Sequence, residues 1–296
     1  MSPESSSHPA SRVPEQAAGL VAARRPPVRV ITVTSGKGGV GKTNVSVNLG
    51  VALAAAGRKP LLLDADLGLA NVDVMLGLSA ERTLADVMAG RCGLADTILE
   101  GPHGLGIVPA SSGKRHMAEL TPAEHVGLIR AFSEIDRPLD TMLVDTAAGV
   151  TDSVLTFCQA AQDVIVVVCD EPASITDAYA LIKVLSRERG VNRVQVLTNQ
   201  VGSPQEGRAL YEKLARVSDK FLDVTLAYLG MVPHDEYLRR AVQRQLPVTV
   251  AYPSSPSARA FRELAGRIER WQPPAAARGH LEFFVERMID AGGMAA

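Results

Sequence analysis

Short, almost wholly apolar runs alternate with longer amphipathic ones along most of this chain. Runs over 29–34, 60–64, 141–144, 164–169, 193–198 and 226–231 are too short for helices and are bounded by Gly, Pro, Asp or Asn. Each predicts a buried strand, with a shorter one over 106–109. Between them, apolar residues recur at helical spacing. They predict helices over 42–56 (closed by Gly57), 122–135, 151–160, 175–189, 204–221, 237–244 and 257–271, with short helical pieces over 72–76 and 84–88. Strands that are apolar on both faces, each followed by a helix, give the fold class as α/β: a doubly wound, mostly parallel sheet with helices on both faces. The predicted domain runs over 28–272.

Two segments depart from this pattern. Residues 1–27 are rich in Ser, Pro and Ala and are expected to be disordered, with a short helix possible only around Glu15 to Leu20. At the other end, 273–279 reads as a linker. Beyond it Leu281, Phe284, Val285 and Met288 fall at i, i+3, i+4 and i+7, one face of a helix, with Glu282, Glu286, Arg287 and Asp290 off that face. Burying those four side chains gives roughly 1.5–3 kcal/mol each as an upper limit. One acidic helix of this kind is a marginal lipid anchor, and two copies on a dimer gain from effective concentration. Segment 273–296 is therefore read as a linker and an amphipathic helix that docks either on lipid or on the protein itself.

Composition narrows the choice little. The 296 residues carry Lys+Arg 31 against Asp+Glu 32, so no basic excess favours nucleic acid. Cys92, Cys158 and Cys169 have neither metal-ligand spacing nor an even disulfide framework, which suits a reducing compartment. The apolar run 164–169 is far too short to span a bilayer. The Ser/Pro-rich stretch 1–10 has no apolar core, which predicts no signal peptide.

The chemistry is concentrated after the first strand, in Gly36-Lys37-Gly38-Gly39-Val40-Gly41-Lys42-Thr43. Glycines between a strand and a helix let successive backbone N–H groups turn around a triphosphate. Lys42 then reaches the β- and γ-phosphates, and the Thr43 hydroxyl ligates Mg²⁺. Gly38, Gly39, Val40, Gly41, Lys42, Thr43 and Asn44 form the predicted cradle. Two more strands end in acid, at Asp64-Ala65-Asp66 and at Asp145. Ligands of a parallel sheet sit at the carboxyl ends of its strands, so these residues are candidates to hold the metal shell and to orient water. An Asp after a strand is as often a cap or turn residue, and the upstream loop tips the balance toward the metal. Asn199 and Pro233 also follow strands, where residues alone mark turns.

Together KGGVGKT, DADLGLANVD (64–73), VDTAAG (144–149) and CDEP (169–172) resemble the MinD/ParA group of deviant Walker ATPases. More narrowly, LLDADLGLANVDVMLGL, CDEPASITDAYALIK and GHLEFFVERM (279–288) are similar to the FleN/FlhG flagellar-number regulators. The likeness runs from about 28 to 288. It implies a slow, Mg-dependent ATP hydrolase that dimerises around two ATP molecules. In that reading Lys37 acts across the interface on the partner's phosphates and Asp66 positions the water, while Thr43, Asp64 and Asp145 order Mg²⁺. Asn199 and Pro233 join the base pocket; Glu171 lies by the ATP; Asn71, Glu171 and Asp177 line the dimer interface, with Asp177 holding Lys37 beforehand. The implied partners are a FleQ-type transcription regulator, the GTPase FlhF, and inner-membrane lipid through the terminal helix. The implied location is the cytoplasm with reversible association at the inner membrane, at the cell pole. Glu15 to Leu20 is similar to the activator motif of FlhG proteins, with Glu for Asp and Val21 for the expected Arg.

Relatives with other functions fit less well. Iron–sulfur carriers would show Cys-x-x-Cys, and the tyrosine-kinase relatives a tyrosine cluster beyond Tyr252; neither is present. No internal repeat matches the duplicated arsenite-pump ATPases. The remaining alternatives are a MinD-type division-site ATPase, whose terminal helix is typically basic, and a ParA-type positioning ATPase, which would bind DNA non-specifically. A non-catalytic nucleotide-binding scaffold would not need Asp66.

Overall fold

The predicted strands assemble into one sheet. In the computed structural model the described residues are 28–66, 71–109, 131–132, 135 and 137–272. Its strands are β1 (Arg29–Ser35), β2 (Pro60–Ala65), β3 (Leu99–Glu100), β4 (Gly106–Val108), β5 (Thr141–Ala148), β6 (Asp163–Val168), β7 (Arg193–Val201) and β8 (Thr225–Pro233). They lie in the order β3-β4-β2-β5-β1-β6-β7-β8, parallel except for the short edge strand β3. β1 sits between β5 and β6, and the chain leaves it for β2 on one side while β5 leads to β6 on the other. That reversal opens a crevice at the carboxyl end of β1.

Successive residues of the strands enter different cores. Ile31 and Val33, with Leu62, Leu143, Ile165, Val167 and Leu197, pack against α1 (Lys42–Ala55) and the last described helix, α9 (Pro256–Glu269), through Leu49, Leu53, Phe261 and Leu264. On the opposite face Val30, Leu61, Met142 and Val144 meet Phe157 of α4 (Asp152–Ala160). Farther along that face, Val164, Val166, Val194 and Val196 meet Leu181 and Leu185 of α5 (Pro172–Arg189) and Leu210 and Leu214 of α6 (Pro204–Phe221). Burial on both faces is what removed the polar alternation from these strands.

Local chemistry fixes where the helices begin. Pro172, Pro204 and Pro256 occupy first-turn positions, where a missing N–H costs nothing. The Ser203 hydroxyl accepts from Glu206 N, and the Ser255 hydroxyl from Ala258 N. Asp235 does double duty. It accepts from Tyr237 N at the start of α7 (Glu236–Gln243) and from Ser257 N and Oγ in the first turn of α9, so one carboxylate ties two helix starts together.

The apolar runs understate three strands. β5 continues through Asp145 to Ala148, β7 to Val201 and β8 to Pro233, because their backbones keep pairing with neighbours after polar side chains have ended the apolar pattern. Of the predicted helix 122–135, residues 131 and 132 are helical, Ile135 is not, and the others lie outside the described residues. Among the described residues there are also the short helices α2 (Val72–Met75), α3 (Leu84–Met88) and α8 (Val248–Ala251) and two 3-10 turns, Leu94–Thr97 and Pro102–Gly104; α8 and β3 carried no periodic signal.

One glycine joins fold to site. At Gly36, where β1 turns into the glycine-rich loop, a Cβ would stand 2.2 Å from the backbone carbon and oxygen of Asp177 on α5. The helix lies on the loop's first residue with no room for a methyl group. Gly36→Ala should therefore lower the urea midpoint by an amount equivalent to about 1–3 kcal/mol. An unchanged midpoint would show that the loop and α5 move apart freely.

Candidate active site

The glycine-rich loop adopts a shape that few other residues allow. Gly39 (φ 82°) and Gly41 (φ 85°) are left-handed, and a Cβ on Gly41 would lie 2.5 Å from Nδ2 of Asn199. Gly41 immediately precedes α1, whose start has neither a side-chain cap nor an acidic residue in its first turn. Its N–H groups and dipole are thus left to an external anion. The loop is also tethered from behind. The Val40 carbonyl accepts from Asn199 Nδ2 at 2.7 Å and from Cys169 Sγ at 3.5 Å, and Ser35 Oγ donates to the Lys37 carbonyl at 2.9 Å.

Beneath the loop lie two carboxylates. Asp64 and Asp145 occupy matching positions on adjacent strands β2 and β5, and both are buried. Asp145 accepts from Ser46 Oγ at 2.8 Å and from the Thr43 side chain, and lies 3.5 Å from Lys42 Nζ. Burial nevertheless holds its pKa above the usual carboxylate value. Asp64 accepts from Asp66 N, Asn71 N and Val72 N at 3.1, 3.1 and 3.2 Å. Burial, followed by the neighbouring Asp145, pushes its carboxyl up to about 6.

Two buried acids with one ammonium leave negative charge that a cation would relieve. Among the described residues no group of three or more His, Cys, Asp or Glu could hold a metal by itself. A pair of carboxylates and a hydroxyl instead suits Mg²⁺, which commonly takes one or two protein carboxylates and completes its shell with phosphate and water. Thr43, Asp64 and Asp145 therefore fit the ion. The cleft above them, about 730 Å³, is bounded by Gly38 to Asn44, by Asp66 and Asn71, and by an apolar wall of Val74, Met75 and Val242. That volume and lining are appropriate to a nucleotide-sized ligand.

The two loop lysines face different surroundings. Lys42 is 9% exposed against Asp145, whereas Lys37 is 37% exposed at the rim, its Nζ 2.5 Å from Glu171 Oε2. That bond raises the Lys37 pKa. The expectation that Asp177 holds Lys37 is corrected here. Glu171 precedes α5 and makes no capping bond, so its side chain is available to Lys37, while the Asp177 backbone packs on Gly36 and its charge acts only through space.

The base-end residues separate. Asn199 is buried and spends one N–H on Val40, which makes it a loop anchor, and it does not line the cleft; Pro233 borders a second cleft at the sheet edge. Leu281, Phe284, Val285, Met288 and the segment Glu15 to Leu20 lie outside the described residues.

Two residues escaped the sequence reading. Ser46 sits one helical turn after Lys42, a spacing that carries the signal in retrospect. Gln245 carried no signal: with left-handed backbone (φ 54°), it donates Nε2 to the Val74 carbonyl at 2.9 Å and so straps the segment after Asn71 across the cleft.

Comparison with known proteins places this geometry. The CobQ/CobB/MinD/ParA nucleotide binding domain family (CbiA) matches residues 31–248. The chain is 60% identical over 263 residues to the antiactivator FleN of Pseudomonas aeruginosa, covering 89% of this chain and 94% of that protein. It is 34% identical to the flagellum site-determining protein YlxH of Helicobacter pylori, covering 80% and 81% respectively. The solved septum site-determining protein MinD of Pyrococcus horikoshii OT3, complexed with Mg-ADP, is similar with a TM-score of 0.63 and 26% identity, over 82% of this chain and 96% of that one. The chain belongs to the MinD/ParA family of P-loop ATPases, in its FleN/FlhG branch.

The raised Asp64 carboxyl has a measurable sign. A folded value of about 6 against the ordinary 3.8 means that the fold favours the protonated acid. Its contribution is complete below about pH 4 and is lost as pH rises through about 6, on the order of 3 kcal/mol. Urea unfolding without Mg²⁺ or nucleotide should show stability falling more steeply over that window in the wild type than in Asp64→Asn, where the raised Asp145 remains. Parallel profiles for the two proteins would refute the assignment.

Proposed function

We propose that the chain is an ATP-driven dimerising switch that limits the number and placement of flagella, hydrolysing ATP slowly and with Mg²⁺ to return to the monomer. The observation that carries the switch is the division of labour between the lysines: Lys42 is buried on its own carboxylate, while Lys37 stands at the rim, ion-paired among the described residues with Glu171. A rim cation held by one exposed carboxylate exchanges that partner for phosphate at little cost, because exposed ion pairs contribute at most about 1 kcal/mol.

In this reading Lys42, the loop N–H groups and Asn44 bind ATP through its phosphates, while Asn199 braces the loop from behind. Bound Mg²⁺ would neutralise charge on the phosphates, held by Thr43 and by Asp64 and Asp145, partly through water. Asp66, on the cleft beside Asn71, orients the attacking water, and Lys37 stabilises transferring charge on the partner's nucleotide. Asn71, Glu171 and Asp177 face the second subunit.

The flagellar role rests on the likeness to FleN, named an antiactivator, and to YlxH, named a flagellum site-determining protein. By the same reasoning the ATP form restrains a FleQ-type activator and acts with the FlhF GTPase. The terminal face Leu281/Phe284/Val285/Met288 then binds inner-membrane lipid, drawing an otherwise cytoplasmic protein to the membrane at the pole. Similarity to MinD keeps one other reading in view, a division-site ATPase.

Sedimentation separates the roles. With ATP, Lys37→Ala should remain monomeric yet keep most nucleotide affinity, Lys42→Ala should lose affinity, and Asp66→Ala should accumulate dimer without turnover. The wild type should pellet with anionic liposomes only when ATP is present. Equal loss of nucleotide binding in both lysine variants would confine Lys37 to its own subunit, and ATP-independent pelleting would remove the membrane switch.

In cells, deleting the gene should raise the number of flagella per cell, and restoring it should return the count. An unchanged count together with misplaced division septa would favour the division-site reading.

A further inference from the structure

A buried hydroxyl faces the candidate metal position from the body of α1. From Val45 to Ala54 this helix is buried throughout, and the polar side chains in that stretch are Ser46 and Asn48. Asn48 has a use in the fold: its Oδ1 accepts from Thr249 N and Oγ1, both at 3.2 Å, and so ties α1 to α8. Ser46 is fully buried and turns the other way, donating to Asp145 Oδ1 at 2.8 Å. A hydroxyl is costly to bury in an apolar setting unless a partner answers it, and here the partner is an acid of the site.

The single proton of Ser46 has two acceptors within reach. Its Oγ also lies 3.2 Å from the Lys42 carbonyl, one helical turn back. A hydroxyl donates only once, and the shorter contact, to a carboxylate, is the stronger. Lys42 Nζ approaches the same oxygen, Oδ1, at 3.5 Å, and the Thr43 side chain also bonds to this carboxylate. Asp145 is therefore gripped by three side chains of α1 at positions i, i+1 and i+4, which share one side of the helix.

Nucleotide binding makes different demands on the three. With ATP in the cleft, Lys42 turns to the phosphates and Thr43 to Mg²⁺, so both divide their attention between Asp145 and the ligand. Ser46 has no ligand to serve. Fixed in the buried part of the helix, it is the partner that Asp145 keeps.

We propose that Ser46 is a positioning residue, whose hydroxyl holds Asp145 in one orientation toward the Mg²⁺ shell while Lys42 is drawn to phosphate. Hydrogen bonds to a carboxylate that serves a metal commonly govern how well the metal is held. The inference rests on the Mg-ATP reading of the cleft.

The test reads binding and not turnover. A fluorescent non-hydrolysable ATP analogue is titrated into the full chain with excess Mg²⁺ and again with EDTA, and the ratio of the two affinities gives the gain due to the metal. In Ser46→Ala that gain should fall by about tenfold, while the affinity in EDTA should change by less than about threefold. Ser46→Cys fills the same space with a weak donor, so it should lose the gain as well, and it remains decisive if Ser46→Ala unfolds. A wild type that gains nothing from Mg²⁺ would overturn the Mg-ATP reading itself. With that gain present, an unchanged ratio in Ser46→Ala, an equal loss with and without the metal, or a wild-type ratio in Ser46→Cys would each overturn the role of Ser46 alone.

Discussion

Placing two carboxylates side by side in a dry sheet is the constraint from which the site follows. Asp64 and Asp145 are register partners on β2 and β5, so the parallel ladder itself sets their spacing. Both are buried, and among the described residues Lys42 is ion-paired with Asp145 and not with Asp64. The surrounding chain is arranged to make this tolerable: Ser46 and Thr43 on one acid, three backbone N–H groups on the other. The backbone N–H groups of Asp66, Asn71 and Val72 thus share one charge, and a change at the metal position acts directly on them.

Much of this was legible because it is local. A glycine-rich loop between an apolar strand and a helix, and acids that close apolar runs, are statements about neighbours in sequence, and the sheet order then brings them together. Residue choice across the fold was not legible. Glu171 and Asp177 stand six residues apart around the start of one helix, and only the approach of α5 to Gly36 decides which reaches Lys37. Asn199 was read by its position after a strand, which is the same whether its amide faces a base or the loop; the bond to Val40 depends on β6 separating β1 from β7. Gln245 lies 171 residues from the carbonyl it binds, beyond the reach of any periodicity.

The sheet also explains why the family likeness is strong while function within the family is read elsewhere. The cores on both faces are built from Val, Leu and Ile interchangeable in kind, and their packing supports any chemistry at the crevice.

The Val40 carbonyl is held from two sides at once, by Asn199 of β7 and by Cys169 just after β6. A cradle braced in this way recognises that a phosphate chain is present but is indifferent to its length, since its own shape has nowhere to yield. In the proposed switch the distinction between di- and triphosphate falls to a part that still has a choice of position, Lys37 on its exposed partner Glu171. The chain thus separates holding a message from reading it, and a substitution that loosened the Val40 anchor would blur the reading even while the nucleotide stayed bound.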